Sequence, residues 1–450
     1  MHLTLNLTVV SYAITAVVLY YLALFAESLL SKEHMVEVSA AARARLFVIL
    51  IPARNEELVI EETLRSQLLL EHDHYLLVVL NDGSTDSTSQ IARHVADDSD
   101  GRVVVIDRDL AIAGVGKSSV LNHGYRLIEE LVSAGDPRIA GRSSEEIIVG
   151  ILDADGRLDQ DALGSASNYF DDARVGSVQL GVQIANAATN MIARLQDMEF
   201  VAFSFLVQVA RDTIGSSGLG GNGQFTRLSA LESLGGEPWK RTSLTEDLDL
   251  GLSLVERGWR TRFCRESFVH QQGLTEWRPL LRQRTRWIQG HYQCWSHIPA
   301  ILRSKTTPWR TRLDLVAYLV LVVTVVIVCL DLAIGIAGSF GLLHIQNEFM
   351  DFLSADQQRY VQFLIGVVPV TAFLFTYQRH SDAPLSWWSL PAFGLAFTLY
   401  SYMWVLATLR AWARIATGQW GWVKTPRVAA EPALSAKRGL RVELEPAVSQ

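Results

Sequence analysis

The sequence predicts an α/β domain on a mostly parallel sheet, with apolar helices on either side of it that are long enough to cross a membrane. Two patterns predict this fold class. Short, near-continuous apolar runs alternate with helical stretches between residues 40 and 275, as buried parallel sheets require. Long apolar segments precede and follow that region. The net charge of −7 argues against a nucleic-acid-binding protein.

The first apolar segment, residues 7–29, contains one acidic residue and is long enough to span a bilayer. A signal peptide would have a basic start and a shorter apolar core, and this segment has neither. The basic residues Arg43 and Arg45 follow the segment, whereas His2 is the only basic residue before it. The positive-inside rule therefore places the N-terminus outside and the following domain in the cytosol.

Four apolar runs predict the strands of the sheet, and they cover residues 46–51, 75–80, 102–107 and 146–152. In such sheets ligands bind beyond the carboxyl ends of the strands. Three of these runs continue into polar turns that carry carboxylates, with the sequences PARNEE, NDGSTD and DADG. Because these turns meet at one edge of the sheet, we expect them to form a site.

Two carboxylates, Asp153 and Asp155, follow the fourth run directly. Carboxylates with this spacing can share a hard divalent cation, although an ordinary turn at a strand end is the more common explanation of an isolated pair. Lys117 opens a predicted helix, where a cation and a helix N-terminus together suit a phosphate. The surrounding GVGKSS is not a P-loop, because that motif needs a glycine where position 111 is alanine.

The stretch SLTEDLDLG places Glu246, Asp247 and Asp249 in the first turn of a predicted helix. Acidic residues there complement the helix dipole, which is one explanation. The other is that one carboxylate acts as a general base on an acceptor hydroxyl. A glycine-rich loop at 218–227 lets the backbone approach a ligand closely. Further on, RQRTRWIQG at 282–290 suits either a basic membrane anchor or a grip on a ligand.

The order of these motifs is more specific than any one of them. PxRNE, NDGSTD, GK, DAD, GNGxF, TED and QxxRW follow one another over roughly residues 45–300. In this order the chain resembles the glycosyltransferase family 2 membrane synthases. That family includes cellulose, chitin and hyaluronan synthases and bacterial glucosyl-diacylglycerol synthases. The resemblance implies a GT-A, Rossmann-like catalytic domain and an inverting transfer from a UDP-sugar, with Mg²⁺ or Mn²⁺ as cofactor.

The resemblance also implies roles for single residues. Glu56 and Asp82 would contact the uridine, although the family often has Asp where this chain has Asn81. Asp153 and Asp155 would bind the nucleotide and the metal, with Asp155 the main metal ligand. Lys117 would lie near the diphosphate. Asp247 would be the general base, with Glu246 beside it. The QxxRW residues would form the place where diphosphate and acceptor meet, and they are Gln283, Arg286 and Trp287.

The C-terminal part contains three more apolar segments, at 314–343, 360–378 and 389–409. Basic residues after the last segment indicate that the C-terminus lies inside. Three crossings that start from the cytosol would instead leave it outside. The first segment could therefore form a hairpin, or a later one could lie along the membrane surface. The predicted organisation is a transmembrane helix (1–31), a cytosolic GT-A domain (40–275, with an interface helix at 190–214), a QxxRW interface region (276–312), a transmembrane block (313–415), and a gating-loop-like segment with a flexible tail (416–450).

Two acceptors remain open at this point. One is a growing β-linked polysaccharide, which the QxxRW motif slightly favours, and the other is a diacylglycerol-like lipid. Either reaction would take place at the cell (inner) membrane, in a multi-pass protein that uses UDP-glucose or UDP-N-acetylglucosamine. A non-catalytic nucleotide-sugar sensor is a remote third alternative. Binding alone needs no base, whereas this chain contains Asp155, Asp247, Arg286 and Trp287 together. The sequence also leaves open whether an accessory protein or a second copy of the chain acts as a partner.

Overall fold

The computed structural model describes residues 37–109, 111–139, 141–339 and 354–420, with shorter stretches at 4–6, 15–16, 19–20, 22–28, 341 and 344–346. The predicted gating-loop-like WVKTPR segment at 422–427 and the predicted tail lie outside the described residues, as does part of the first apolar segment. The statements below concern the described residues.

An eight-stranded mixed sheet forms the centre of the fold. A separate parallel pair consists of two three-residue strands, β1 and β10. The strands are β1 (Thr4–Asn6), β2 (Leu46–Ala53), β3 (Tyr75–Asn81), β4 (Val103–Asp107), β5 (Ile147–Ile151), β6 (Arg157–Leu158), β7 (Val175–Ile184), β8 (Gln224–Arg227), β9 (Arg260–Gln271) and β10 (His344–Gln346). The order across the large sheet is β4-β3-β2-β5-β8-β7-β9-β6.

Helices cover both faces of this sheet and continue beyond it. The six residues Phe203–Gln208 form a π-helical turn between two of them, α6 and α7. The helices are α1 (Ala40–Ala44), α2 (Ile60–Gln67), α3 (Thr88–Asp97), α4 (Lys117–Ser133), α5 (Ala162–Tyr169), α6 (Met191–Ala202), α7 (Val209–Ile214), α8 (Leu228–Glu232), α9 (Glu246–Glu256), α10 (Trp277–Gln293), α11 (Ile298–Arg303), α12 (Trp309–Ser339), α13 (Ala355–His380) and α14 (Leu390–Ala416).

The four predicted strands correspond to β2, β3, β4 and β5, which pair in parallel. Successive side chains of a strand point to opposite faces, so a strand that is apolar throughout supplies two cores. In β2, Phe47, Ile49 and Ile51 belong to one buried cluster, whereas Val48 and Leu50 belong to the other. Strands β2, β3 and β5 are therefore buried on both faces, as their sequences predicted, whereas β4, at the edge of the sheet, is mostly half-buried.

The other half of the sheet departs from the mostly parallel prediction. Strand β8 is antiparallel to both of its neighbours, β5 and β7, and separates the first parallel group from β7 and β9. Its four residues form too short a run to be recognised as a strand. Because Gln224 pairs with Ile151, the start of β8 lies at the carboxyl end of β5. The glycine-rich loop that precedes β8 is therefore placed beside the DADG turn.

The C-terminal helices differ from the predicted arrangement in one respect. The segment predicted as a possible hairpin is a single 31-residue helix, α12. Only the helix Trp387–Ala416, which contains α14, is long and apolar enough in the described part of the chain to cross a membrane. Multiple crossings therefore remain a prediction.

Buried polar contacts connect the C-terminal helices to the domain that contains the large sheet. Arg211 of α7 donates a hydrogen bond to Asp314 of α12 at 2.8 Å, and both side chains are buried. Asp197 of α6 accepts a hydrogen bond from Tyr377 of α13 at 2.9 Å. Most residues from Ala193 to Arg211 are buried against the rest of the chain. The stretch thus packs as a core helix would, and its contact with a membrane surface stays a prediction.

Candidate active site

A single cavity of about 1320 Å³ joins the carboxyl edge of the sheet to the C-terminal helices. Nine of the ten residues that the sequence predicted for the site border it. They are Glu56, Asp82, Lys117, Asp153, Glu246, Asp247, Gln283, Arg286 and Trp287. The tenth, Asp155, is buried next to this wall.

Asp153 and Asp155 lie in the turn that follows β5. The Asp153 carboxylate accepts a hydrogen bond from the Lys117 ammonium at 2.6 Å, and its backbone N–H donates to Asn222 Oδ1 at 3.0 Å. Asp155 Oδ2 accepts from the backbone N–H of Gln272 at 3.1 Å. The turn is therefore held by the glycine-rich loop on one side and by the end of β9 on the other.

The residues present fit a metal that arrives with its substrate. No group of three or more His, Cys, Asp and Glu side chains in the described ranges is arranged to hold a metal ion. Mg²⁺, however, is commonly held by one or two carboxylates together with substrate phosphates and water. Asp153 and Asp155, with Lys117 beside them for a phosphate, supply that donor set.

Asp82 is tied to a residue that the sequence did not single out. Its carboxylate forms a buried ion pair with Arg108 and accepts a hydrogen bond from the Gly114 N–H at 3.0 Å. Asp82 thus fixes the loop that leads to Lys117 as well as bordering the cavity. Burial alone would lower the pKa of Lys117, but Asp153 and Glu246 outweigh it, so the pKa is raised and the ammonium stays charged.

Asp247 lies half-buried in the first turn of α9, next to the glycine-rich loop. Burial, together with the neighbouring Glu246, raises the pKa of Asp247 to about 6, although Lys117 and Arg286 act in the opposite direction. A Cβ atom added to Gly221, where φ is +81°, would lie 3.0 Å from Asp247 Oδ2. A carboxylate whose pKa is near neutrality, in an accessible cavity, is suited to accept a proton.

The third acid of the same turn, Asp249, has a different partner. It accepts from His297 at 3.1 Å, and the other nitrogen of His297 contacts Glu256 at 2.8 Å. Burial lowers the pKa of His297, but these two carboxylates outweigh it and raise it to about 9. Asp249 therefore connects α9 to the segment after α10, whereas Glu246 and Asp247 border the cavity.

Helix α10 holds the loop that precedes the first turn of α9. Arg286 Nη1 donates to the Leu244 carbonyl at 2.9 Å. Gln293 accepts from the Leu244 N–H at 2.9 Å and donates to the Thr242 carbonyl at 3.1 Å. Gly290 packs directly on Thr245. The QxxRW helix therefore positions Asp247 as well as bordering the cavity.

The three arginines of RQRTRWIQG have three different environments. Arg282 is exposed, so a role as a surface anchor stays a prediction. The same interpretation is wrong for Arg284, which is completely buried and donates to Glu199 at 2.7 Å. Its guanidinium also lies 4.1 Å from the centre of the Trp287 ring. Arg286 is the one that borders the cavity.

Beyond Trp287 the cavity continues into an apolar arm. The Phe200 ring meets Trp287 edge to face, with 6.2 Å between ring centres. We use the name apolar arm for the part of the cavity bordered by Leu22, Phe25, Phe203, Leu206, Val207, Val368, Pro369, Ala372 and Phe373. The cavity thus has a charged end at the sheet and an apolar end between α13, the π-helical turn and the helical residues 22–28.

Comparisons with known proteins agree with this geometry. The family described as glycosyltransferase like family 2 matches residues 44–290. A beta-monoglucosyldiacylglycerol synthase from Synechocystis is 30% identical over 275 residues, which are 61% of this chain and 53% of that protein. A poly-beta-1,6-N-acetyl-D-glucosamine synthase from Staphylococcus aureus is 24% identical over 246 residues, 54% of each chain. The chain thus spans about half the length of the curated relatives it matches.

A solved structure shows the same fold. The mannosyltransferase from Pyrobaculum calidifontis, solved in complex with GDP-mannose and Mn²⁺, superposes with a TM-score of 0.56. The match covers 92% of this chain and 98% of that one at 18% identity. The mixed sheet is therefore a GT-A-like glycosyltransferase sheet.

Proposed function

The chain belongs to glycosyltransferase like family 2, and on that premise we propose that it transfers a glucosyl-type sugar from a UDP-sugar to a hydroxyl group of a diacylglycerol-like lipid. The observation that carries the proposal is the continuity of the cavity. Lys117, Asp153 and Arg286 border its charged end, Asp247 lies among them, and the apolar arm continues past Trp287. One end suits a sugar diphosphate and the other suits hydrocarbon.

The transfer needs one base and a means of neutralising the leaving group. Asp247 accepts the proton of the acceptor hydroxyl while the oxygen of that hydroxyl attacks the anomeric carbon of the sugar. The bond between that carbon and the diphosphate oxygen breaks, and the diphosphate keeps the electron pair. Attack from the face opposite the leaving group inverts the anomeric centre. Lys117 and Arg286 are the cationic side chains that face the developing negative charge.

Asp155 and Asp153 would hold Mg²⁺ or Mn²⁺ with the diphosphate. When bound, the metal would supply further neutralisation of the leaving group. Asp153 would then contact the metal in place of Lys117, and the freed Lys117 ammonium would face the diphosphate. The buried hydrogen bond from Gln272 keeps Asp155 in a fixed position for this role.

Two observations favour a lipid over a polysaccharide acceptor. The relative at 30% identity is a glucosyl-diacylglycerol synthase, whereas the polysaccharide synthase is 24% identical. A polysaccharide in the apolar arm would bury hydroxyl groups without partners, which is costly. These observations reverse the order of preference stated for the sequence alone.

We also propose that the protein is integrated in the cell (inner) membrane, with α14 lying along the surface. Tyr400 donates to Glu199 at 2.5 Å near the middle of α14, and Arg414 donates to Gln289 at 3.0 Å near its end. These contacts are 14 residues apart, about 21 Å along a helix, so this part of α14 lies against α6 and α10, which belong to the two regions predicted at the membrane interface. This is the surface alternative stated for the later segments, and it removes the conflict over the C-terminus.

The outer face of α14 suits the boundary between headgroups and acyl chains. Leu395 and Leu399 are each 64% exposed on that face, and Trp388 just before the helix is 95% exposed. Exposed leucines on one helical face and tryptophans at its end are typical of segments that lie in a membrane interface. The remaining crossings, by the N-terminal segment, α12 and α13, stay part of the proposal.

The product distinguishes the acceptors. Purified full-length protein in detergent micelles would be incubated with dioleoylglycerol and radiolabelled UDP-glucose, UDP-N-acetylglucosamine or GDP-mannose, followed by solvent partition and chromatography. We expect a chloroform-soluble glycolipid from UDP-glucose and none with Asp247→Asn. Label retained at the origin as a polymer would replace the lipid proposal with the polysaccharide one.

A further inference from the structure

We infer that the apolar arm is the binding site for the acyl chains of the lipid acceptor and that its shape sets the chain-length preference of the enzyme. The inference rests on the proposed function and adds a substrate subsite to it. Its starting point is the size of the cavity, about 1320 Å³. Pockets for single drug-sized ligands measure about 300–1,000 Å³, so this cavity has room for a donor and part of a second substrate.

The chemistry of the arm points to hydrocarbon. The helical residues 22–28, the π-helical turn and α13 contribute only apolar residues to the cavity wall apart from Ser204 and Gln208. Glu199 lies where the arm begins, but its carboxylate already accepts from Arg284 at 2.7 Å and from Tyr400 at 2.5 Å. An acyl chain would bury the apolar side chains of the arm, and this burial is favourable.

The arm also reaches the outside of the described chain. Leu22 is 40% exposed and Pro369 is exposed, and both border the cavity. Both the helical residues 22–28 and α13 therefore carry a residue that borders the cavity and is also exposed at the surface of the described residues. A lipid that enters from a bilayer beside α13 could leave its chains in the arm while its hydroxyl group reaches Asp247.

The π-helical turn connects this arm to the catalytic loop. Phe203, Leu206 and Val207 border the arm, whereas Gln208 exchanges two hydrogen bonds with Gly218, at 2.8 and 3.0 Å. Gly218 begins the loop that brings Gly221 against Asp247. π-Helical turns are rare and often occur at functional sites. Here the turn places the walls of the acyl subsite at a fixed distance from the base.

The first test fills the arm. Ala372 borders it and is half-buried, whereas Ala392 on α14 is exposed and does not border the cavity. Ala372→Phe is therefore compared with the matched control Ala392→Phe. The measured quantity is kcat/KM for long-chain dioleoylglycerol and for short-chain, water-soluble dihexanoylglycerol, with UDP binding as a check that the charged end is intact.

We expect Ala372→Phe to lower kcat/KM for dioleoylglycerol by about tenfold or more, because displacing even two buried methylenes costs about that factor. The value for dihexanoylglycerol should change by no more than about twofold, since short chains need little of the arm. Ala392→Phe should leave both values unchanged. Equal losses for the two acceptors, or no loss for either, would overturn the acyl subsite.

A second variant covers the possibility that Ala372→Phe fails to fold. Phe373 also borders the arm, and Phe373→Ala enlarges it. The preference should then shift towards the bulkier, branched chains of diphytanoylglycerol relative to dioleoylglycerol. An unchanged ratio would also overturn the subsite. Failure of the wild-type protein to glycosylate either lipid would overturn the proposed function as well, whereas normal lipid transfer with insensitive ratios would overturn the subsite alone.

Discussion

A Cβ atom added to Gly290 would lie 2.5 Å from both Cγ2 and Oγ1 of Thr245 and 2.8 Å from its backbone nitrogen. Real Cβ atoms do not approach other atoms so closely, and the backbone nitrogen cannot rotate away as a side chain can. The contact therefore joins the QxxRW helix to the residue that precedes the catalytic turn. A glycine at the end of RQRTRWIQG is needed for this packing.

Gly290→Ala should lower kcat by up to about 100-fold, because a displacement of about 1 Å at a catalytic group can cost that much. The added methyl group pushes Thr245, and with it Asp247, away from the cavity. Gly236 offers a matched control, since it is exposed and a Cβ there meets nothing within 4 Å. Steady-state kinetics on Gly290→Ala and Gly236→Ala would decide, and equal activities would show that the contact does not position the base.

Arg286→Ala should lower kcat/KM by about 100-fold or more, as the loss of one donor for developing charge does in other enzymes. The variant loses a cation at the charged end and the hydrogen bond to Leu244. Since Arg286 lowers the pKa of Asp247, the acid limb of the pH profile should also move to higher pH. Arg282→Ala, one turn earlier and exposed, is the control. A normal rate for Arg286→Ala would assign both arginines to surface anchoring.

Arg284→Ala should act on stability. It leaves the Glu199 carboxylate without its buried cation, and breaking such a pair costs about 3–5 kcal/mol. The free energy of unfolding, measured with denaturant in detergent, should fall by that amount, whereas Arg282→Ala should change it by less than about 0.5 kcal/mol. A stable Arg284→Ala protein would mean that the guanidinium is not essential to the packing of α6, α10 and α14.

The activity should have an acid limb near pH 6. Asp247 must be ionised to accept a proton, and burial raises its pKa to about 6. As pH falls below that value the protonated fraction grows, so kcat/KM should fall about tenfold per pH unit. The pH dependence of kcat/KM at saturating metal would measure this. A flat profile between pH 7 and pH 5 would contradict the assignment of the pKa to the base.

Removal of divalent metal should stop transfer. Asp153 and Asp155 offer two carboxylates, too few for a closed protein site, so the metal should be exchangeable with chelators. EDTA should abolish product formation, and excess Mn²⁺ or Mg²⁺ should restore it. Full activity in EDTA would remove the metal from the proposed mechanism.

Much of the site could be predicted because its residues follow buried strands. Glu56, Asp82 and Asp153 lie just after the carboxyl ends of three parallel strands, and a parallel sheet brings such ends together. The long-range pairings could not be predicted in this way. Arg108 pairs with Asp82 across 26 residues, and nothing in its local sequence indicates that contact.

The arginines show a second limit of sequence reasoning. Arg282, Arg284 and Arg286 alternate within one helix, so each points in a different direction from its neighbour. Which direction meets the cavity, the core or the solvent depends on where α10 packs against α6 and α14. The apolar arm has the same origin, because its walls come from segments more than a hundred residues apart. The proposed surface position of α14 likewise depends on contacts with α6 and α10 that its own sequence does not indicate.

Asp247→Asn removes the proposed base at the point where sugar donor and lipid acceptor meet. The amide keeps the size of the side chain but cannot accept the proton. We predict that transfer of radiolabel to dioleoylglycerol falls at least about 1,000-fold, within the range that general bases contribute, while UDP binding changes by less than about threefold. Substantial transfer by the variant, or loss of UDP binding, would show that Asp247 is not the base.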